Sequence, residues 1–423
     1  MATRYQALRG THDILPDDVA AWQRLEATTR EVFARYGFRE IRTPLLEATE
    51  LFARSVGAST DIVRKEMYTL QAGDDSVTLR PESTAPVVRA FIEHAMDREV
   101  AAGYPVRLFY IGPMFRYERP QKGRQRQFHQ IGAEVLGAPE PLADAETIHM
   151  LALLLDTLGI RERELRINSV GDETCAPRFR ETLVAWLAER RDQLCSDCRR
   201  RMDENPLRVF DCKVEADRRL LASAPSIADA LCAPCADHFA EVRRRLDALE
   251  VSWVLDARLV RGLDYYRRTV FEVVSSDLGA QNAIVGGGRY DGLVAELGGP
   301  AIPGFGFAMG MERLVSLLPA PAAEAGLDVT IIALGPEGFE AAPKLAAALR
   351  RDGVSVVMPM QERPMGAQFK RAERLGARFA LYVGESEVRA GRYPLKDLRS
   401  QTQVVAGPGE VAALVREGRR DGR

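Results

Sequence analysis

Residues 106–136, VRLFYIGPMFRYERPQKGRQRQFHQIGAEVL, hold the densest set of side chains able to do chemistry. Within them, 116–127 carries Arg116, Arg119, Lys122, Arg124 and Arg126 against a single acid, Glu118. Guanidinium groups meet phosphate oxygens as planar forks, so this stretch suits an anionic ligand held by its phosphates. Taken alone, a charge run is also explained by a solvated loop. The neighbouring FHQIGAEV argues for the ligand. Strand alternation puts Phe128, Gln130, Gly132 and Glu134 on one face, and His129, Ile131, Ala133 and Val135 on the other. The first face offers a ring, an amide and a carboxylate around a bare glycine.

Three further stretches carry chemistry. In TLRPEST (78–84), Glu82 and Thr84 point the same way if the backbone is extended, while Ser83 or Thr84 could cap the helix that follows. In GFGFAMG, Gly304, Gly306, Ala308 and Gly310 share one face, leaving it open to a flat ligand or to a closely packed element. Arg313 stands near the start of the next helix, aimed back at that face, and IVGGGRYDGL before it reads as a flexible loop. Cys195 and Cys198 form one CxxC pair, Cys232 and Cys235 another, with Cys212 between. In a reducing compartment this spacing suits one zinc held by the four paired thiolates, and plain burial of small side chains is the alternative.

The elements that must position these residues follow from periodicity. Pro16 with Asp17 and Asp18 opens a helix that runs to Gly37, and FREIRTP follows as a short strand. Residues 106–111 form a buried strand, 144–158 an apolar helix ended by Gly159, and LRINSVGD another strand. Residues 176–249 turn Arg-rich and helical and hold five of the six cysteines, after which a strand-like pattern resumes. This reads as a helical insertion in one α+β domain, dividing it into 1–175 and 250–318. PAPAAEAG (319–326) is a linker, and 327–423 alternates strands with helices, implying βαβ units and a largely parallel sheet. Lys370, Arg371, Arg374 and Arg378 make a second basic patch there.

Composition sets the limits. With 423 residues, 46% hydrophobic and 28% charged, the chain can bury several cores. A net charge of −2 gives no global footprint for nucleic acid, so any such contact must be local. No run approaches the ~18 apolar residues of a membrane span, and the N-terminal stretch lacks a signal-peptide core, so a cytoplasmic protein without membrane contact is expected.

FRYERPQKGRQRQFHQIGAEVLG, LVRGLDYYRRTVFEV, GGRYDGL with GFGFAMGMERL, and QFKRAERLGARFALYVG together resemble bacterial histidyl-tRNA synthetases over essentially the whole chain. The resemblance implies a class II synthetase catalytic domain built on an antiparallel sheet, a homodimer formed around Pro44, and a C-terminal α/β anticodon-binding domain at 327–423. It implies ATP and L-histidine as substrates, Mg²⁺ as cofactor and the histidine tRNA as partner. The regulatory subunit of ATP phosphoribosyltransferase shares the catalytic fold but typically lacks the anticodon domain.

By resemblance, Arg116 holds the ATP α-phosphate, Phe128 and Arg313 sandwich adenine, Glu118 orients the base, and Arg124 lies near the triphosphate. Arg261 is similar to the cation that stabilises charge at the α-phosphorus. Glu82, Thr84 and Gln130 match positions for the α-ammonium group, Glu134 and Tyr266 those reading the two imidazole nitrogens, and Tyr265 and Tyr290 line the pocket. Two positions depart from the family pattern: Ser83 where glycine is common, and Arg267 where threonine is more usual.

Overall fold

The structure, a computed structural model, describes residues 5–57, 60, 62–121, 123–319 and 327–420, giving backbone alone at 211, 280, 281, 419 and 420. Lys122 and the expected linker beyond Pro319 lie outside the described residues. The chain divides into two units, Met1–Pro319 and Ala320–Arg423.

In the first unit the strands are β1 (Arg39–Glu40), β2 (Leu46–Ala48), β3 (Tyr68–Ala72), β4 (Asp75–Leu79), β5 (Val106–Phe115) and β6 (Gln127–Leu136). They continue with β7 (Glu164–Ser169), β8 (Val254–Leu255), β9 (Arg267–Val274), β10 (Ala283–Arg289) and β11 (Gly304–Gly310). Eight of them form one sheet, ordered β1-β5-β6-β11-β10-β9-β7-β8, and β2-β4-β3 form a small second sheet. The large sheet is antiparallel except at its edges, where β1 runs parallel to β5 and β8 to β7.

Alternation gives this sheet two unlike faces. Ile131, Ala133, Val135, Phe305, Phe307 and Met309 enter a core completed by Leu25, Val32 and Phe33 of the Pro16–Arg35 helix and by Leu151 and Leu155 of the Pro141–Leu158 helix. The first helix starts on Pro16 with two acids in its first turn, and the second ends on Gly159 in the left-handed region at φ 81°. On the opposite face, register aligns Tyr110, Gly132, Ala308, Gly286 and Glu272 across five strands. The next row aligns Leu108, Glu134, Gly306, Gly288 and Val270.

The glycine-dense 284–293 is not a flexible loop. Residues 283–289 are a buried strand, and a Cβ at Gly287 would lie 2.4 Å from the Gly306 carbonyl oxygen. Its glycines serve close packing rather than mobility.

Within 176–249, the helices Ala176–Ala188, Ser196–Glu204 and Glu215–Leu221 surround a separate core of Phe179, Leu183, Leu187, Val209 and Leu221. The last helix, Ala233–Ala248, instead sends Phe239, Val242 and Leu246 into the main core. The two CxxC pairs do not converge: Cys195 and Cys198 gather with Cys212 and Asp217, whereas Cys232 and Cys235 gather with Asp172 and Cys175. Each pair opens a different helix, which carries it to a different neighbour.

In the second unit, β12 (Val329–Ala333), β13 (Val356–Val357) and β14 (Phe379–Val383) are parallel, in the order β13-β12-β14. An antiparallel hairpin, β15 (Tyr393–Asp397) and β16 (Gln403–Ala406), extends the sheet beyond β14, so it is mixed rather than largely parallel. Lys370, Arg371 and Arg374 lie on the Met365–Arg374 helix, but Arg378 sits beyond it and donates to Asp397.

A buried polar lock lies beneath the large sheet. Arg289 and Asp144 are both fully buried and ion-paired, and Asp144 also meets His238 Nε2 at 3.0 Å. Arg289 donates to the Ala138 carbonyl at 3.1 Å as well, tying β10 to the Pro141–Leu158 helix. Burial opposes charge on Asp144, but Arg289 and His238 more than offset it and its pKa falls below the ordinary value. Asp144→Ala leaves Arg289 buried with less than its full charge partner and should cost about 3–5 kcal/mol. All three tryptophans (Trp22, Trp186 and Trp253) lie in the first unit, so urea unfolding followed by their fluorescence reads it directly. A loss under about 1 kcal/mol would show that the lock contributes little.

Candidate active site

Over the glycine-bearing face opens a cavity of about 650 Å³. It is lined by Glu82, Thr84, Arg116, Glu118, Arg124, Phe128, Gln130, Arg261, Tyr265, Tyr266, Tyr290 and Arg313. Of the residues expected at the site, Glu134 alone is set back: it is fully buried behind Thr84 and Tyr290.

One part of the cavity is a nest of phenols and acids. Glu134 accepts from the Thr84 hydroxyl at 2.7 Å and from the Tyr290 hydroxyl through its other oxygen. Glu82 does not extend beside Thr84 as from a strand. It turns back to accept from the backbone N–H groups of Thr84 and Ala85 at 2.8 and 2.9 Å, capping the Thr84–Glu93 helix itself. Ser83 is fully buried and makes no side-chain cap. Tyr265 packs against Tyr266 and Tyr290, with ring centroids 4.8 and 5.7 Å apart. Gln130 Oε1 is buried without a hydrogen-bond partner among the described residues, an acceptor left for something that enters.

The other part is cationic. The Arg116 guanidinium lies 5.2 Å from the Phe128 ring centroid, and its Nε donates to the Pro81 carbonyl at 2.9 Å. Arg124 donates to Glu118 at 2.9 Å. Arg313 reaches across to the carbonyls of Gly123 and Ala283. Phe128 and Arg313 thus share the cavity, but in the free protein the cation over the ring is Arg116. Arg261 donates to Glu272 at 2.7 Å and spans bare backbone: a Cβ at Gly286 would fall 1.7 Å from its Nη2.

Arg116 and Arg261 stand where the two parts meet. The Arg116 charge acts on Glu82, and that of Arg261 on Tyr266. Burial drives the acids toward neutrality. It raises Glu82 despite the two N–H donors, and lifts Glu134 from 4.5 to about 8 despite the Tyr290 and Thr84 hydroxyls. Burial also pushes the Tyr266 phenol to about 12, with Arg261 pulling the other way.

Several contributors were hidden in the sequence. Tyr110, in the apolar run 106–111, lies over Gly132, where a Cβ would meet its hydroxyl at 2.2 Å. Glu272 partners Arg261 from within β9. Arg80 is buried and fastens the loop below by donating to the carbonyls of Pro113 and Thr43. Arg201, Arg208 and Lys213 bring the insertion to the cavity wall. Among the insertion's other arginines, Arg199 is held by the Leu194 carbonyl, and Arg244 and Arg245 by Glu241. Arg267, the unusual cation, donates to the carbonyls of Asp264 and Tyr266 and so braces the RGLDYY turn.

The raised Glu134 pKa has a sign that can be checked. Below 4.5 the carboxyl is protonated in both folded and unfolded chains. Between 4.5 and about 8 only the folded chain keeps the proton, so rising pH erodes stability over that window. Glu134→Gln removes this titration. Its urea midpoint relative to the unsubstituted protein should therefore climb from pH 5 to pH 8, and a constant difference would contradict the assignment.

Comparison with known proteins gives the chain's family. Residues 10–314 match the family model described as histidyl-tRNA synthetase, and 328–418 match that of an anticodon binding domain. The chain is 50% identical over 412 residues to the histidine–tRNA ligase of Geobacter sulfurreducens, covering 96% of this chain and 99% of that one. It is 49% identical over 413 residues to that of Geobacter metallireducens, covering 97% and 99%. The crystal structure of apo S. aureus histidyl-tRNA synthetase is similar with a TM-score of 0.81 at 35% identity, covering 98% of this chain and 99% of that one. A fold, a cavity and a sequence match that runs through both units lead to one conclusion: the chain belongs to the histidyl-tRNA synthetase family.

Proposed function

We propose that this cavity is where the chain carries out the first step of its reaction, the ATP-dependent ligation of histidine to tRNA. Histidine's carboxylate attacks the α-phosphorus of ATP, giving histidyl-adenylate and pyrophosphate. The 3′-terminal ribose hydroxyl of the tRNA then attacks the adenylate carbonyl and releases AMP. The observation that carries this reading is the meeting of a cationic part and a phenol–acid part in one cavity, with Arg116 and Arg261 at the junction.

Each half suits one substrate. Arg116 and Arg124 face the phosphates, Phe128 with Arg313 takes the adenine, and Glu118 orients it. Gln130, Glu82 and Thr84 receive the α-ammonium group, for which the unpaired Gln130 oxygen is ready. Glu134 and Tyr266 read the imidazole, which presents one donor and one acceptor nitrogen, inside walls formed by Tyr265 and Tyr290. Both Glu134 oxygens are engaged in the free protein, so one must be shared, which the lone pairs of a carboxyl group allow. A site that recognises its ligand through buried hydrogen bonds rejects analogues lacking them by ~10⁴ or more, so no editing step is required.

No protein nucleophile is needed. Arg261 and Arg116 stabilise charge as it develops at the α-phosphorus, and the buried acids and phenols hold histidine in line. Glu272 lines the cavity beside Arg261 with carboxylate oxygens, the chemistry Mg²⁺ takes together with phosphate oxygens, and would hold it. When bound, Mg²⁺ neutralises phosphate charge.

The second unit, matching an anticodon binding domain, takes the other end of the tRNA. Arg201, Arg208 and Lys213 support contact of the insertion with the acceptor end. Leu45 and Leu46, exposed beside Pro44, and Leu70 on the small sheet support a homodimer formed through that region. None of the six cysteines is in a disulfide, which suits the cytoplasm. Among the described residues no helix is long and apolar enough to cross a membrane.

Arg261→Ala should cut histidine-dependent ATP–pyrophosphate exchange by at least ~10²-fold, as loss of a transition-state charge partner does. A near-wild-type rate would show that its role is misassigned.

A further inference from the structure

The insertion, with the residues that lead into it, holds two clusters that the ligation chemistry does not use. Asp172, Cys175, Cys232 and Cys235 form one, and Cys195, Cys198, Cys212 and Asp217 the other. In each, the four ligand atoms all lie within 4.8 Å of one another. We infer that each cluster is a structural zinc site with three thiolates and one carboxylate, so that the chain carries two Zn²⁺ ions.

Distances, charge and backbone all point this way. Tetrahedral zinc, with Zn–S near 2.3 Å and Zn–O near 2.0 Å, sets ligand edges of about 3.8 Å between sulfurs and about 3.5 Å between sulfur and oxygen. Cys195 Sγ and Cys212 Sγ are 3.8 Å apart. Cys212 Sγ lies 3.4 Å from Asp217, and Cys175 Sγ and Cys232 Sγ each lie 3.6 Å from Asp172. The sulfurs are far too distant for a disulfide, whose bond is about 2.05 Å.

Thiols donating to a carboxylate would give similar distances; at Asp172, Arg268 lies 3.8 Å away, but at Asp217 the charge would be left unbalanced. Asp217 is 1% exposed and has no Lys, Arg or His ion-pair partner among the described residues. Its donors are the Cys195 backbone N–H, 3.2 Å from both oxygens, and weak S–H groups, none of which neutralises the charge; a divalent cation does. Backbone amides are already turned to the sulfurs: the N–H groups of Cys198, Val214 and Asp172 donate to Cys195, Cys212 and Cys175, each at 3.4 Å. Such bonds fix thiolate ligands and temper their charge. Cys195 and Cys232 also stand at the caps of the Ser196–Glu204 and Ala233–Ala248 helices, whose N-terminal dipoles favour thiolate.

The two sites divide the work. The first joins residues 172–175, where the chain enters the insertion, to 232–235, where it leaves. The second closes the insertion's middle, and Lys213, next to Cys212, and Arg201, three residues after Cys198, line the active cavity. Zinc at the second site therefore holds two active-site cations in place.

Elemental analysis of the full-length protein, purified without chelators, should find two zinc ions per chain. Cys198→Ser and Cys235→Ser should each retain one. Fewer than two in the unsubstituted protein, a metal other than zinc, or two ions surviving either substitution would overturn the inference. Since a substituted insertion could fail to fold, the unsubstituted protein provides a second reading. Replacing its metal with Co²⁺ should give sulfur-to-cobalt charge-transfer bands and the intense visible absorption of tetrahedral cobalt for two ions per chain. Their absence would overturn the inference equally.

Discussion

The active site depends on a sheet face left bare at five glycines. A Cβ at Gly286 would fall 1.7 Å from Arg261, at Gly306 1.8 Å from Glu134, and at Gly304 2.1 Å from Tyr290. One at Gly132 would fall 2.2 Å from Tyr110, and at Gly288 2.9 Å from Tyr266. Packed atoms do not approach so closely, so each glycine is the floor under one functional group. The same strands send Phe305, Phe307, Met309 and Ile131 into the core, which keeps that floor flat and fixed. Period-2 alternation thus couples stability to function: one face buries apolar area and the other gives up its side chains to a ligand.

The electrostatics follow from that floor. Side chains resting on bare backbone are buried, and burial presses carboxyls and phenols toward their neutral forms. Glu134, Tyr266 and Tyr290 all show this. Neutral groups suit recognition of an uncharged imidazole, while the cations next to them suit a triphosphate. On the proposed reading, Arg116 and Arg261 at the boundary offset the repulsion between an attacking carboxylate and a phosphate in a site from which screening water is excluded.

Much of this was legible in the sequence because it rests on local rules. Alternation in FHQIGAEV and GFGFAMG assigned both faces of β6 and β11 correctly, and Pro16 and Gly159 marked helix ends. Long-range facts were not legible. The glycines of β10 looked flexible because composition alone cannot separate a loop from a strand on which another chain segment lies. The role of Glu82 as cap depended on the backbone turning at Ser83, which its neighbours in sequence do not dictate. Spacing showed two CxxC pairs but not their acidic partners, since Asp172 and Asp217 look like ordinary surface acids until the fold buries them.

The bare floor is most directly tested by Gly286→Ala. The new methyl would meet only the far end of the Arg261 side chain at its closest contacts, so it should displace that guanidinium while sparing the sheet. Histidine-dependent ATP–pyrophosphate exchange is then predicted to fall by at least ~10²-fold, with little further loss when Arg261→Ala is added. Exchange near the wild-type rate in folded Gly286→Ala protein would contradict the account, because Arg261 would then not owe its position to the missing Cβ.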